Sequence, residues 1–319
     1  MRLALAGDAM LGRGVAERLG EVPPESLFAP EVVAIADEAD LFVLNLECCI
    51  SERGTPWAAP GKQFFFRAPP AAVEALRHLG VDCVTLANNH ALDFGEEALL
   101  DTLEKLDTAG IAHVGAGPTL AGARSPVLVE RAGLRLAMLG AADHPADFAA
   151  GERAPGIAYA DLSRGVPDWL TWAIRAARRG ADAVLVTPHW GPNMTPGPVP
   201  HVREAATALI GAGATLVAGH SAHVFQGIDD RTLFDLGDFI DDYAVDPMLR
   251  NDLGLLFLVD LDRGGPRRLE AVPLHLDFCF TRLAEGPDRA WISRRFQEAC
   301  AAFGTEVHEE RGRLVVEWR

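Results

Sequence analysis

MRLALAGDAMLGRG, residues 1–14, opens with the apolar run Leu3-Ala4-Leu5-Ala6, breaks at Gly7 and presents a carboxylate, Asp8, directly after the break. A short continuous apolar run reads as a strand covered on both faces, the habit of parallel sheets. The same form recurs at residues 41–44, 82–86, 183–187 and 215–218. Amphipathic patterns over 71–79, 96–109, 167–179 and 201–211 predict helices between these strands, the second and third flanked by Gly and Pro. Residues 126–129 and 134–139, split by Ala132-Gly133, predict a hairpin, and residues 233–236 with 255–261 predict another in a C-terminal half rich in strands. Without an internal repeat or a low-complexity linker, the pattern is α/β and layered. It predicts one domain over 1–319, a motif-bearing core over about 1–262 with a strand and helix extension over 263–319.

The ends of the predicted strands carry the chemistry. Gly7-Asp8 follows the first, Asn45-Leu46-Glu47 the second, Asn88-Asn89-His90 the third, His189-Trp190-Gly191 the fourth, and Gly219-His220-Ser221-Ala222-His223 the fifth. In open α/β sheets functional groups gather beyond the carboxyl ends of the strands, so these residues are expected on one rim. Taken singly, an Asp after Gly is a turn or cap residue and Asn-Asn-His a hydrogen-bonded loop. Two imidazoles three apart at a strand exit, however, make a chelating pair. Imidazole, carboxylate and amide together suit Mn²⁺, Zn²⁺ or Fe²⁺, and one or two divalent ions are expected.

Composition narrows the classes. Hydrophobic residues at 49% and charged residues at 23% describe a globular chain and argue against disorder or a fibre. A net charge of −16 disfavours a phosphate-backbone partner and an anionic membrane surface, so no nucleic acid and no membrane are expected. Gly7 and Asp8 stop the first apolar run far short of a signal-peptide core, and the expected location is cytoplasmic. Cys48, Cys49, Cys83, Cys279 and Cys300 lack CxxC spacing and read as reduced thiols.

GDAMLGRG (7–14), NLE (45–47), LANNHALDFG (86–95), HWG (189–191), GHSAHVFQGID (219–229) and FDLGDF (234–239) resemble, in this order, the motifs of CapA-type proteins. That family is named for capsule poly-γ-glutamate synthesis and shares the fold of calcineurin-like metallophosphatases. The resemblance implies a four-layer α/β/β/α sandwich, metallo-dependent phosphatase-like, with a metal site at the rim of two sheets. It implies that Asp8, Glu47 and His223 hold one ion and that Glu47, Asn89, His189 and His220 hold the other, Glu47 bridging. The ions would be Mn, Zn, Fe, Mg or Ca, and His90 the acid/base beside them. Three departures stand out. Met10 replaces the His of Asp-x-His, Asn193 stands where many such chains carry Glu, and Asp238 replaces the Asn of LGNF.

Three functions follow as expectations. In hydrolysis of a γ-glutamyl amide or phosphoester, a hydroxide on the metal attacks while His90 protonates the leaving group. In isomerisation, a metal acidifies a Cα–H, a base on one face removes the proton and an acid on the other returns it, with Asp238, His90 and a metal-bound water as candidate carriers. The third is a capsule-assembly or binding role without catalysis. The Met10 departure weakens phosphomonoesterase chemistry, and a cytoplasmic chain favours a peptide substrate. The chain is also similar to lasso-peptide epimerases among CapA-like tailoring enzymes, so the first expectation is L-to-D inversion at Cα in a ribosomally made peptide. Arg13 is a candidate clamp for a substrate carboxylate or phosphate, against a solvated loop arginine. His144 and Trp190 are further candidate substrate contacts, while His78, His113, His201, His275 and His308 are read as structural.

Overall fold

The computed structural model describes residues 1–58 and 61–318. The strands that carry the site, in chain order, are β1 (Arg2–Ala9), β2 (Leu41–Leu46), β3 (Cys83–Thr85), β4 (Ala112–Val114), β5 (Val127–Arg131), β6 (Leu134–Ala142), β7 (Ala183–His189), β8 (Leu216–Ala218), β9 (Asp238–Ile240), β10 (Leu253–Asp262) and β11 (Gly265–Asp277). A ten-stranded sheet runs through β11, β10, β1, β2, β3 and β4, and a six-stranded sheet includes β8, β7, β6 and β5. In the first, β1 to β4 are parallel and β10 is antiparallel to β1. In the second, β6, β7 and β8 are parallel, and β5 closes the edge as the predicted hairpin partner of β6. Each apolar run at the start of a predicted βα unit is a strand here, and the predicted helices appear as Ala71–His78, Gly95–Ala109, Asp168–Gly180 and Pro200–Ala212.

Successive strand residues point to opposite faces, and the packing separates accordingly. Leu3 and Leu5 of β1, Val43 of β2, Leu136 and Met138 of β6 and Leu185 of β7 share one buried core to which both sheets contribute. Ala4, Ala6, Phe42 and Leu44 face the other way, against Leu76, Leu99 and Leu103 of the first two helices. Leu139, Val184 and Val186 pack against Leu170, Ile174, Val202 and Leu209 of the last two. Both faces of the central strands are covered, which is why their sequences are apolar without alternation.

One strand pairing differs from expectation. Residues 233–236 and 255–261 do not pair. Thr232–Leu233 belongs to the six-stranded sheet beside β8, whereas β10 lies in the ten-stranded sheet between β1 and β11. Two short apolar runs specify burial but not their partner. The hairpin signal belongs instead to Arg263-Gly264, which joins β10 to β11. β11 and Arg313–Glu317 extend the same sheet, and Ile292 and Phe296 of the helix Gly286–Ala301 fill the core between the sheets.

β1 takes two partners in succession on one edge. Arg2 to Leu5 pair with β10; farther on, the Asp8 amide donates to the Gly237 carbonyl at 2.9 Å and Asp8 sits in register with Asp238 of β9. A Cβ on Gly7 would lie 1.8 Å from that carbonyl oxygen, so the approach needs glycine. Gly7→Ala is expected to destabilise the protein by about 1–3 kcal/mol through backbone displacement. Gly180→Ala, where a Cβ meets nothing within 4 Å, should stay within about 0.5 kcal/mol of wild type. Denaturant melts of the two variants check this.

Candidate metal centre

The parallel strands deliver their C-terminal residues to one rim. Asp8 closes β1 beyond a register shift at Gly7, Glu47 follows β2, His189 ends β7 and His220 lies beside it through an isolated bridge. Asp8, Glu47, His223 and Asp238, all buried, each present a ligand atom within 4.8 Å of the others. His223 Nδ1 lies 2.8 Å from Asp238 Oδ1, 3.6 Å from Asp8 Oδ2 and 3.9 Å from Glu47 Oε2. His220 Nδ1 is 3.1 Å from Asp8 Oδ1 without hydrogen-bond alignment.

Asp8 Oδ2, Glu47 Oε1, Asn89 Oδ1, His220 Nδ1, Asp238 Oδ2 and both ring nitrogens of His189 are buried with no hydrogen-bond partner. An unsatisfied buried polar group costs roughly 1–3 kcal/mol, and crowded carboxylates add repulsion. Unpaired oxygen and nitrogen donors among buried acids are the donor set a divalent cation takes. The residues therefore fit a metal.

The electrostatics agree. Burial raises the Glu47 carboxyl, and the Asp8 charge pushes it further. Burial likewise raises Asp238, with Asp241, Asp8 and Asp235 adding to it. Asp241 is pushed up to about 6, chiefly by burial. Burial would also raise Asp8, but its contact with His220 and the nearby imidazole charges hold it below the ordinary carboxylate range. Burial lowers His189; at His223 burial is outweighed by Glu47 and Asp8, which raise it.

Surrounding side chains fix these ligands. Asn45 Nδ2 donates to Asp8 Oδ1 at 2.8 Å, and Asn88 Nδ2 donates to Asn45 Oδ1 at 2.9 Å. Tyr243 donates its hydroxyl to Glu47 Oε2 at 3.3 Å. Asp235 accepts from the amides of Ala222 at 2.8 Å and Gly237 at 2.9 Å, tying the loop of His220 and His223, with its left-handed backbone at Ser221 and His223, to β9. Asn193, the departure after HWG, bonds His223 Nε2 at 3.2 Å.

Beside this group sits His90. Its Nδ1 lies 2.6 Å from Asp93 Oδ2, and its ring stacks on Phe66 with centroids 3.9 Å apart. Lys62 Nζ is 2.7 Å from Asp93 Oδ1. Nε2 has no hydrogen-bond partner among the described residues. Sequence reasoning assigns no role to Asp93, Asp235, Lys62 or Tyr243. Asp93 and Asp235 do lie inside the quoted motifs, whereas Lys62 and Tyr243 give no local signal.

The remaining candidates separate. Asp238, expected as a free proton carrier, is bonded to His223 inside the ligand group. Trp190, expected as a substrate contact, is only 2% exposed and donates its indole N–H to the Phe234 carbonyl at 2.9 Å, so its side chain is packed in the core. His144 is half-buried, bonded to Asp143, with its ring 5.3 Å from that of His189. His201, expected to be remote, lies 3.5 Å from the same Asp143. Arg13 is at the rim, 3.2 Å from Asp242 Oδ2. The five cysteines are buried and free.

Residues 2–243 match the model of a bacterial capsule synthesis protein family, PGA_cap. The chain belongs to this family. The segment matched to PGA_cap contains every candidate ligand and ends at Tyr243. A probable polyglutamine synthesis accessory protein of Mycobacterium tuberculosis is 31% identical over 353 residues, covering 95% of this chain and 92% of its own. The PGA biosynthesis protein CapA of Bacillus subtilis is 28% identical over 86% of this chain and 71% of its own, and the capsule biosynthesis protein CapA of Bacillus anthracis 29% over 86% and 67%. Among solved structures, a hypothetical protein from Thermus thermophilus covers 87% of this chain and 100% of its own at 16% identity and a TM-score of 0.49. No helix among the described residues is long and apolar enough to cross a membrane.

Metal and protons compete for Glu47 and Asp238. The affinity for Mn²⁺ or Zn²⁺ is expected to fall as pH is lowered from about 7 to about 5, and His220→Ala with His223→Ala to abolish it, as read by metal analysis. In the chelator-treated protein the raised carboxyls work the other way. Asp241, with its folded value near 6 against the ordinary 3.8, contributes stability below 3.8 that is lost as pH rises through about 6. Melting temperatures with and without metal should therefore diverge as pH rises through that window.

Proposed function

We propose that this chain is a metal-dependent enzyme that hydrolyses an amide bond in a carboxylate-bearing, peptide-type substrate. The proposed layering is α/β/β/α, supported by one core between the sheets and one under the helices on each outer face. The proposed ligands are Asp8, Glu47, His223 and Asp238 for one ion and Glu47, Asn89, His189 and His220 for a second. A divalent ion held there supplies Lewis acidity toward a carbonyl and toward water. The observation that carries the reading is the His90–Asp93 pair, joined through Phe66 and Tyr243 to Glu47 of the unsatisfied ligand group.

Asp93 accepts the hydrogen bond of the His90 Nδ1–H, which leaves Nε2 as the exchangeable site. Burial lowers the imidazole below its ordinary value against the opposing bond and charge of Asp93, so His90 starts neutral, accepts at Nε2 the proton that the attacking water gives up, and passes it to the leaving amine as the C–N bond breaks. Lys62 compensates the Asp93 charge, and Phe66 fixes the ring plane. One carrier suffices for hydrolysis. Inversion at Cα by the two-carrier route needs groups on opposite faces, and the second side chain expected to serve, Asp238, is bound to His223. Hydrolysis is therefore preferred. The substrate class, a glutamate- or glutamine-type chain, draws on the names of the M. tuberculosis and Bacillus relatives.

A second reading, L-to-D epimerisation in a ribosomally made peptide such as a lasso-peptide precursor, is favoured by the carboxylate of Asp238 in place of the family's amide. An assembly role without catalysis is the third, in keeping with the word accessory in the relative's name. The proposed location is cytoplasmic, with no nucleic-acid or membrane partner.

Incubation of α- and γ-linked glutamate oligomers and candidate peptides with metal-loaded protein in D₂O, followed by mass spectrometry and chiral analysis, separates the three. Cleaved fragments without deuterium on carbon support hydrolysis. An intact product with one deuterium at an inverted centre overturns it in favour of epimerisation; binding without chemical change favours assembly. His90→Asn is expected to keep its metal and lose about 10²–10⁴-fold in kcat. Wild-type turnover in this variant would remove His90 from the mechanism.

A further inference from the structure

We infer that Arg13 is the specificity determinant of this site and binds a free carboxylate of the substrate through its two terminal nitrogens, a reading that rests on the proposed peptide-type substrate. The guanidinium carbon lies 5.8 Å from the Phe64 ring centroid, 5.7 Å from Phe66 and 5.9 Å from Tyr243. Two of those rings reach the chemistry. Phe66 stacks on His90, and Tyr243 bonds Glu47. The arginine thus stands over the join between the proton carrier and the ligand group.

Its orientation is set from below. Asp242 Oδ2 faces Nε at 3.2 Å and is itself held by the Gly14 amide at 2.8 Å, so the pairing occupies the Nε edge of the guanidinium. Among the described residues no hydrogen bond engages Nη1 or Nη2, and about two fifths of the side chain is exposed, at 38%. Lys62, the other cation of the mouth, is committed to Asp93 and to the Asn89 carbonyl at 3.2 Å. Arg13 is consequently the mouth cation with donors to spare, and two parallel N–H groups match a carboxylate in bidentate geometry. Three rings and one carboxylate restrict the side chain before ligand arrives, which lowers the ordering cost of binding. Phe64, 56% exposed beside it, offers the substrate's methylene groups an apolar wall. A glutamyl residue, whose free carboxylate stands next to a run of two methylenes, suits both halves.

The probe is a γ-linked glutamate tetramer, compared with the same tetramer carrying carboxamides in place of its free α-carboxylates and with inorganic phosphate. Calorimetric titrations use metal-loaded protein in the His90→Asn background, and mass spectrometry of the titrated peptide reports any turnover separately. The expected result is binding of the acid at least tenfold tighter than the amide. Arg13→Gln should erase that difference, Arg13→Lys should restore only part of it, and Asp242→Asn should weaken acid binding several-fold. Thermal melts of each variant establish that it is folded. Equal affinity of Arg13→Gln and wild type for the acid overturns the assignment, as does equal affinity of wild type for acid and amide. Phosphate competing through Arg13 while the tetramer does not would overturn the carboxylate as its ligand. Because binding is read without turnover, a failure of the hydrolytic reading leaves these outcomes intact and is seen separately.

Discussion

Crowding of buried carboxylates at one end of two sheets is the constraint on which the rest of the molecule depends. Asp8, Glu47, Asp235, Asp238 and Asp241 are all withdrawn from water, and only part of their charge is met by His220 and His223. Burial alone would drive such groups to neutrality. Asp8 is nonetheless held ionised by the imidazoles around it while burial and mutual repulsion push its neighbours upward, so without a cation the cluster keeps only part of its carboxyls charged. The unsatisfied atoms point to the same conclusion from hydrogen bonding.

The backbone is shaped to achieve that crowding. β1 is antiparallel to β10 along its first half and parallel to β9 at its end, and the exchange of partners brings Asp8 opposite Asp238. Gly7 permits the approach because any side chain there would occupy the Gly237 carbonyl. Gly219 serves the second sheet similarly, since a Cβ would meet the Phe234 oxygen at 2.1 Å and the Trp190 indole nitrogen at 2.4 Å. Trp190 is thereby a structural wedge behind His189 and His220, holding the strand ends from which those imidazoles project.

Outside the ligand group, an aromatic layer links groups of different chemistry. Phe66 lies against His90 on one side and within 5.8 Å of Tyr243 on another, and Arg13 stands over both. Low polarity there strengthens the His90–Asp93 contact and limits the routes by which solvent reaches it. Arg13 and Lys62 each meet one carboxylate there, Asp242 and Asp93, so the cations nearest the ligand group are held in place by acids outside it.

The amino-acid sequence by itself determined the alternation of strands and helices, because continuous apolar runs and amphipathic periods reflect how each segment is covered. It also determined that Asp8, Glu47, His189, His220 and His223 would share a rim, because parallel strands place their C-terminal residues together. It could not determine which strand neighbours which. The 233–236 and 255–261 segments are both apolar, yet lie in different sheets, since hydrophobicity encodes burial and not partnership. Nor could it assign Asp238, whose bond to His223 arises from the pairing of β9 with β1, or Trp190, whose motif position suggested a contact while its packing makes it core. Lys62 and Tyr243 belong to loops without periodic signal, and only the folded chain brings them onto Asp93 and Glu47. Distance in space, set by backbone approach at residues such as Gly7, decided those roles.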